Sequence, residues 1–69
     1  MTADEMFKEL GYIEHYIHKD YEEYRTDSSH SAGRSIIFND NKKIIMSHII
    51  TIQELKAINK KCEEFGWNE

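Results

Sequence analysis

The feature that most constrains the fold of this chain is its short length combined with a single cysteine. A domain of 69 residues hides only about 60% of the surface that its unfolded chain exposes. One core of that size rarely stabilises the native state by more than roughly 3–5 kcal/mol, so small domains commonly add disulfides, a metal ion or a partner subunit. Cys62 is the only cysteine, so no disulfide forms within the chain. We therefore expect one domain over residues 1–69 that is supported by association, with a homodimer as the simplest assembly.

The start of the chain and its hydropathy predict a cytosolic protein. The sequence opens Met-Thr-Ala-Asp-Glu, with acidic residues where a signal peptide requires basic ones. No later apolar run approaches the ~18 residues of a membrane span, so no membrane partner is expected. A lone cysteine also agrees with a reducing compartment.

The charge of the chain changes sign along its length. The net charge is −4. Through Asp27 there are eight acidic and three basic residues, whereas from Ser28 to Lys61 there are six basic and two acidic residues. Phosphate binding needs clustered lysine and arginine, and the acidic first part lacks such a cluster. We therefore expect no direct contact with nucleic acid.

Both ends of the chain carry the same signature of a helix start. Thr2 with Glu5, and Thr51 with Glu54, each spell a capping box. In this motif the threonine hydroxyl accepts a hydrogen bond from the amide of the glutamate, and the glutamate carboxylate accepts one from the amide of the threonine. The spacing predicts one helix after Thr2 and a second helix after Thr51.

The same two segments carry a matching signature of a helix end. Apolar residues recur at spacings of three and four after each capping box. Each run then stops at a glycine followed by an aromatic residue, Gly11-Tyr12 in the first segment and Gly66-Trp67 in the second. Glycine suits the left-handed position that closes a helix. We expect the first helix over about residues 3–10.

Four strand candidates lie between the two helices. Residues 34–39 and 43–49 are rich in isoleucine and are separated by a polar turn, which predicts a β-hairpin. The preceding segment is ambiguous, because its apolar residues also fit a helical stripe. Gly11 interrupts any continuation of the first helix, and tyrosine, isoleucine and threonine favour strands. We therefore favour two strands, at about residues 12–17 and 21–26.

The predicted order of elements is αββββα, an α+β fold with one antiparallel sheet. Two helices can cover only one face of such a sheet. The other face carries tyrosines, isoleucines or acids in either register, which leaves an apolar and aromatic patch for a second chain.

No residue pattern indicates catalysis, a metal ion or a cofactor. His15 and His18 are three residues apart, which places them on opposite faces of a strand, and no third ligand is specified. Cys62 falls on the apolar stripe of the last helix, where a small buried hydrophobe is a better interpretation than a nucleophile. We expect a protein that is not an enzyme and holds no cofactor.

The stretch around Gly33 is the first of two candidate binding sites. Its hydroxyls, imidazole and guanidinium can donate hydrogen bonds to a phosphate or another small anion. The pattern is neither a P-loop nor a dinucleotide fingerprint, so a solvated connection is the simpler interpretation. The candidate ligand-binding residues are Ser29, His30, Ser31 and Arg34, with Arg34 as the expected anchor because its planar guanidinium matches phosphate.

An acidic run with interleaved tyrosines is the second candidate site. On a strand, alternate residues project to one side at intervals of ~6.6 Å, which would give a negative face for a basic protein surface. The simpler interpretation is an ordinary solubilising surface. The candidate partner-binding residues are Glu14, Asp20, Tyr21, Glu22, Glu23 and Tyr24.

The two ends of the chain resemble a family of small uncharacterised proteins. The opening Met1-Thr-Ala-Asp-Glu-Met-Phe-Lys-Glu-Leu-Gly-Tyr12 and the closing Ile52-Gln-Glu-Leu-Lys-Ala-Ile-Asn-Lys-Lys-Cys-Glu-Glu-Phe-Gly-Trp67 look like proteins of phages, prophages and conjugative elements of Gram-positive bacteria. The match covers both helices, under half the chain. It implies a mobile-element origin and the cytoplasm of a bacterial host, and it transfers no site residue.

What this resemblance implies about function is a binding role. Small acidic proteins of phages often bind and block a host protein, including the nucleases of CRISPR and other defence systems, and some imitate nucleic acid. The resemblance therefore implies a non-enzymatic accessory protein, of the anti-CRISPR or another anti-defence type, whose partner is a host protein such as a nucleic-acid-binding one. The alternative is a protein that binds and sequesters a small ligand or a nucleotide signal.

Overall fold

Two helices flank a four-stranded antiparallel sheet in the order α1-β1-β2-β3-β4-α2. The structure, a computed structural model, describes residues 1–26 and 33–67. In that part of the chain, neither helix has the length and apolar character needed to cross a bilayer. The elements are α1 (Ala3–Glu9), β1 (Glu14–Ile17), β2 (Tyr21–Arg25), β3 (Ser35–Asn39), β4 (Ile44–Met46) and α2 (Ile52–Phe65).

The α+β fold and the αββββα order predicted from the sequence are confirmed. The ambiguous segment after Gly11 forms the two strands β1 and β2, which pair with each other through the turn at Lys19 and Asp20. Each strand is shorter than predicted, and the largest difference is β4, which ends at Met46.

Both capping boxes predicted from the sequence are formed. Thr2 Oγ1 accepts from the Glu5 amide at 3.2 Å, and the Thr2 amide donates to Glu5 Oε1 at 2.8 Å. The same two bonds join Thr51 and Glu54 at 3.1 and 2.9 Å. Each box satisfies amides that have no partner within the first turn of a helix, so both helix starts are set locally.

Both helices end in the same backbone turn. The Tyr12 amide donates to the Phe7 carbonyl oxygen at 3.0 Å, and the Trp67 amide donates to the Cys62 carbonyl oxygen at 2.9 Å. These bonds turn each aromatic residue back towards its own helix. The Tyr12 ring meets the edge of Phe7 with centroids 5.5 Å apart. The glycines in the turns have positive φ, 96° at Gly11 and 76° at Gly66.

The register of the sheet decides which side chains face the helices. Tyr24 of β2 lies opposite Ile36 of β3, and Ile36 lies opposite Met46 of β4. Because side chains alternate along a strand, Glu22 shares the helix-covered face with Tyr24. Phe38 shares it with Ile36.

The core is built mainly from aromatic rings between this face and the two helices. Phe7 stacks on Tyr24 with centroids 4.3 Å apart, and Phe38 meets the edges of both rings. Such pairs contribute about 0.5–1.5 kcal/mol each beyond their buried area. The buried core residues are Ala3, Phe7, Tyr12, Tyr24, Ile36, Phe38, Ala57 and Ile58.

Cys62 is partly buried and packs against this core. Burial raises the pKa of its thiol, which keeps the side chain protonated at neutral pH. Both observations favour a role for Cys62 as a small hydrophobic residue.

We predict that Thr51→Ala lowers the free energy of unfolding by about 1 kcal/mol, because the Glu54 amide loses its side-chain acceptor. Thr51→Ser keeps a hydroxyl in the same position and serves as the control, with a much smaller loss. Urea unfolding followed by tryptophan fluorescence measures both variants. Equal losses for alanine and serine would show that the capping hydroxyl is not the cause.

Candidate functional site

The acidic run predicted as one surface is divided between the two faces of the sheet. Tyr21 and Glu23 project to the uncovered face, together with Glu14 of β1, whereas Glu22 and Tyr24 project towards the helices. Alternation along β2 separates neighbours in sequence.

Three of the predicted partner residues need correction. Glu23 is buried and paired with Arg25 although it projects to the uncovered face. Tyr24 is 1% exposed and belongs to the core, so it offers no ring to a partner. The side chain of Glu22 is only 15% exposed and has partners within the chain. Asp20 is exposed in the turn between β1 and β2 and remains available.

Glu22 is neutralised by a buried lysine of α2. Lys61 Nζ lies 2.5 Å from Glu22 Oε2 and 3.7 Å from Asp4 Oδ1, and it also lies over the rings of Tyr24 and Phe65. Burial raises the pKa of Glu22, but hydrogen bonds from Lys61 and His15 outweigh it, so the pKa is lowered. The carboxylate therefore stays ionised and serves the contact between β2 and α2.

The Tyr24 hydroxyl also belongs to the cluster around Lys61. It donates to Asp4 Oδ1 and lies 3.3 Å from Glu22 Oε2. Burial and the hydrogen bond to Asp4 raise the pKa of Tyr24, so the hydroxyl keeps its proton. His15 stacks on the Tyr24 ring, with centroids 4.1 Å apart, and its Nε2 lies 2.9 Å from Glu22 Oε2.

The same cluster supplies ligand types that bind metal ions. The sequence specifies no third ligand beside His15, whereas the fold brings Asp4 and Glu22 to it, with ligand atoms within 4.8 Å of one another. The Lys61 ammonium already lies against both carboxylates and supplies the positive charge that a metal ion would bring. Within residues 1–26 and 33–67 this is the one group of three or more side chains with the spacing of a metal site. Its contacts favour a structural role. His18 lies elsewhere and stacks on Tyr21.

A second buried carboxylate lies at the start of α2. Glu54 is 1% exposed, and its Oε2 accepts from the Tyr12 hydroxyl and lies 2.7 Å from His48 Nε2. Burial raises the pKa of Glu54, but hydrogen bonds from Tyr12, His48 and the Thr51 amide outweigh it and lower the pKa to about 2. Glu54 therefore acts both as a cap and as an ionised partner of Tyr12 and His48.

Arg34, the predicted anchor for an anion, faces this carboxylate. Its Nη1 lies 3.6 Å from Glu54 Oε2, and its guanidinium lies over the Tyr12 ring at 5.5 Å. The side chain is 41% exposed, so part of the guanidinium still meets solvent. The other predicted ligand-binding residues, Ser29, His30 and Ser31, lie outside the described residues.

Ser47, His48 and Glu54 form a hydrogen-bonded series of the kind that activates a nucleophile in hydrolases. The contact between Ser47 Oγ and His48 Nδ1 is long, at 3.4 Å. Ser47 Oγ also accepts from the Ser35 amide at 2.9 Å, which extends the pairing of β3 with the chain after β4. These contacts favour a structural role for Ser47.

The uncovered face of the sheet carries an unusual row of residues. Tyr16, Glu23, Ile37 and Ile45 lie opposite one another across β1 to β4. Glu23 is only 6% exposed although neither α1 nor α2, the helices of the described residues, lies on this face. Its neighbours surround it, and Arg25 Nε donates to its Oε2 at 2.8 Å. The row is therefore apolar and aromatic around one internally neutralised carboxylate, and together with Tyr21 on the same face we call it the open face.

A shallow groove of about 390 Å³ lies at the turn end of the open face. Its floor is apolar, and two carboxylates from different turns flank it. The Asp40 amide donates to the Asp20 carbonyl oxygen at 2.9 Å, which holds the two turns together. The lining residues are Asp20, Tyr21, Ile37, Asn39, Asp40 and Ile45.

Among these lining residues, the sequence identified Asp20 and Tyr21 and missed the four contributed by β3, β4 and the turn between them. The signal for Ile37 and Ile45 is alternation within the predicted hairpin, since the two residues lie opposite each other. This signal identifies the pair only if the register of the hairpin is known. The polar turn in the sequence does not fix that register to better than one residue.

Comparison with known proteins assigns the chain to no family. No protein-family model matches the sequence, and neither a curated protein nor a solved structure is significantly similar to the chain. The similarity of the two ends to phage proteins therefore stays a prediction.

We predict that Lys61→Met lowers the free energy of unfolding by on the order of 3 kcal/mol, because it leaves the Glu22 and Asp4 carboxylates without their shared cation. Lys60→Met is the matched control. Lys60 pairs with Glu63 at the surface at 3.5 Å, and such pairs contribute little. Chemical unfolding of both variants tests this prediction, and a Lys61 variant as stable as the Lys60 variant would contradict it.

We also predict that the stability of the protein falls in acid partly through Glu54. Its folded-state pKa of about 2 lies below its ordinary value of 4.5, so its contribution is complete above about pH 4.5 and is lost as the pH falls towards 2. The difference corresponds to roughly 3 kcal/mol.

Glu54→Gln isolates this contribution, because glutamine still completes a capping box but does not titrate. The variant should be less stable at pH 7 and should lose less stability between pH 4.5 and pH 3 than the wild type. Glu9→Gln, which removes one exposed carboxylate, is the control for the change in net charge. Parallel acid slopes for all three proteins would refute the assignment.

Proposed function

We propose that this protein is a non-enzymatic binding protein that blocks another protein by covering part of its surface. The observation that carries the proposal is the open face, where Tyr16, Tyr21 and Ile45 are 38%, 37% and 53% exposed. Contiguous exposed apolar and aromatic residues mark interaction surfaces in small proteins. Tyrosine is also enriched among the residues that dominate binding energy.

The groove at the turn end indicates which kind of partner surface would fit it. An apolar floor between Asp20 and Asp40 suits a segment that carries an arginine or lysine beside an apolar side chain. Lys19, Lys42 and Lys43 lie in the same two turns but do not line the groove. Basic surfaces are typical of nucleic-acid-binding proteins, which agrees with the host factor, such as a defence nuclease, that the phage-like ends imply.

The ligand-sequestering alternative has less support. Its anchor, Arg34, already faces the Glu54 carboxylate and the Tyr12 ring. An anion at Arg34 would have to compete with that internal carboxylate, whereas a protein at the open face displaces nothing from the chain.

We expect Ile45→Glu to abolish capture of the host partner, because it places a charge on the apolar floor of the groove. Leu55→Glu is the matched control, since Leu55 is 40% exposed on α2, away from the open face. Affinity capture from host lysate should recover one protein with the wild type and with Leu55→Glu, and not with Ile45→Glu. Circular dichroism confirms that both variants are folded. A partner recovered equally by both variants would refute the proposed surface.

The purified partner then allows a test of the groove. Asp20→Asn combined with Asp40→Asn should slow association severalfold and flatten its salt dependence, because these carboxylates steer a basic segment. Tyr21→Ala should mainly speed dissociation, by tenfold or more at a dominant contact. Binding kinetics at two salt concentrations separate the two effects.

Glu22 and Glu23 are unsuitable for this test, because each is paired within the chain. Unchanged salt dependence in the double asparagine variant would show that the carboxylates only solubilise the turns.

A further inference from the structure

The sheet has two edges, and they differ in how well they are protected. In the part of the chain that the structure describes, the strand order leaves β1 and β4 with one neighbour each. The β4 edge is three residues long and begins beside Lys43, and a short strand with a lysine is a common protection against pairing. Glu14–Ile17 contains neither lysine nor proline, so the β1 edge is the open one.

The hydrogen bonds of the sheet fix which backbone groups on β1 are free. The His18 amide donates to the Tyr21 carbonyl oxygen at 2.8 Å, which marks a hydrogen-bonded pair in the register of β1 with β2. Such pairs alternate along an antiparallel ladder. Residues 14 and 16 therefore also bond to β2, and residues 13, 15 and 17 direct their amides and carbonyls away from the sheet.

The side chains of the same residues are exposed at the two ends of the strand. Ile13 is 67% exposed and Ile17 is 75% exposed. His15 lies midway between them and turns inward, where it stacks on Tyr24.

We propose that two copies of this chain pair antiparallel through β1, about a two-fold axis at His15, to form one continuous eight-stranded sheet. The axis exchanges Ile13 and Ile17, so each isoleucine lies opposite the other isoleucine of the partner copy. All three residues with outward backbone groups then form hydrogen-bonded pairs, with about six main-chain bonds in total.

This register is favoured over the others that use the same backbone groups. An axis at Tyr16 would place Ile17 opposite His15 and leave Ile13 unpaired. The axis at His15 also places Glu14 opposite the partner copy's Tyr16, and within one chain the Tyr16 hydroxyl already donates to Glu14 Oε2 at 2.9 Å. The pattern is complementary to itself, which identifies the occupant of the edge as a second copy.

Sedimentation at micromolar concentration tests the assembly. The wild type should be a dimer, and Ile17→Lys should raise the dissociation constant at least about tenfold, because it places a lysine on the paired edge. Ile45→Lys is the control, since it alters the open face and leaves the β1 edge intact. A wild-type monomer would overturn the proposal. Loss of the dimer in Ile45→Lys but not in Ile17→Lys would overturn it too, by assigning the dimer to the open face.

Disulfide formation tests the register. In a Cys62→Ser background, Ile13→Cys and Ile17→Cys are oxidised separately and as a mixture. The proposed pairing brings residue 13 of one copy opposite residue 17 of the other at ~5.5 Å between Cα atoms, within disulfide range. Identical positions are ~13 Å apart. Covalent dimers should therefore form efficiently only in the mixture, and equal yields in the separate samples would overturn the register.

Discussion

The buried ammonium of Lys61 is the contact on which the arrangement of the helices over the sheet depends. It joins α2 to Glu22 of β2 and to Asp4 of α1, and hydrogen bonds from Tyr24 and His15 complete the cluster. A buried cation needs such partners, because an unpaired charge in the interior is strongly destabilising. The ion pair can form only if Glu22, and not Glu23, faces the helices. It therefore selects the phase of β2, since a slip of one residue would reverse both faces.

That phase also determines what the protein presents to solvent. With Glu22 inside, Glu23 projects outward, where Arg25 neutralises it. Two adjacent glutamates that look like a negative surface in the sequence are thus both paired within the chain. Within the groove, the acidic residues are Asp20 and Asp40 of the two turns, beside the apolar floor.

Features encoded by short segments could be predicted from the sequence. The two capping boxes and the glycine-aromatic ends act within a few residues, so both helices were found with nearly correct limits. The choice of strands for residues 12–26 followed from residue preferences and the interruption at Gly11. Tyr21 and Tyr24 show the limit of such local reasoning. Both lie in the same strand among the same neighbours, and only the register of β2 with β3 places one in the groove and the other in the core.

Contacts between distant segments could not be predicted from the sequence for the same reason. Glu54 was recognised as part of a capping box, but its bonds to Tyr12 and His48 depend on how α2 packs across the sheet. Arg34 was chosen as an anchor because its planar guanidinium matches phosphate, whereas its own partner lies 20 positions further along the chain. Residue preferences cannot predict such pairs, because the pairs form only when the helices pack on the sheet.

The two proposed surfaces are compatible because they use different parts of the sheet. Pairing through β1 consumes backbone groups that lie in the plane of the sheet, while the open face presents side chains perpendicular to that plane. In a continuous eight-stranded sheet the two open faces point to the same side, so one assembly offers two copies of the groove. If the blocked protein has two equivalent surfaces within reach, the second contact becomes intramolecular and gains from a high effective concentration. A chain with a small groove could then bind tightly without enlarging the contact in either copy.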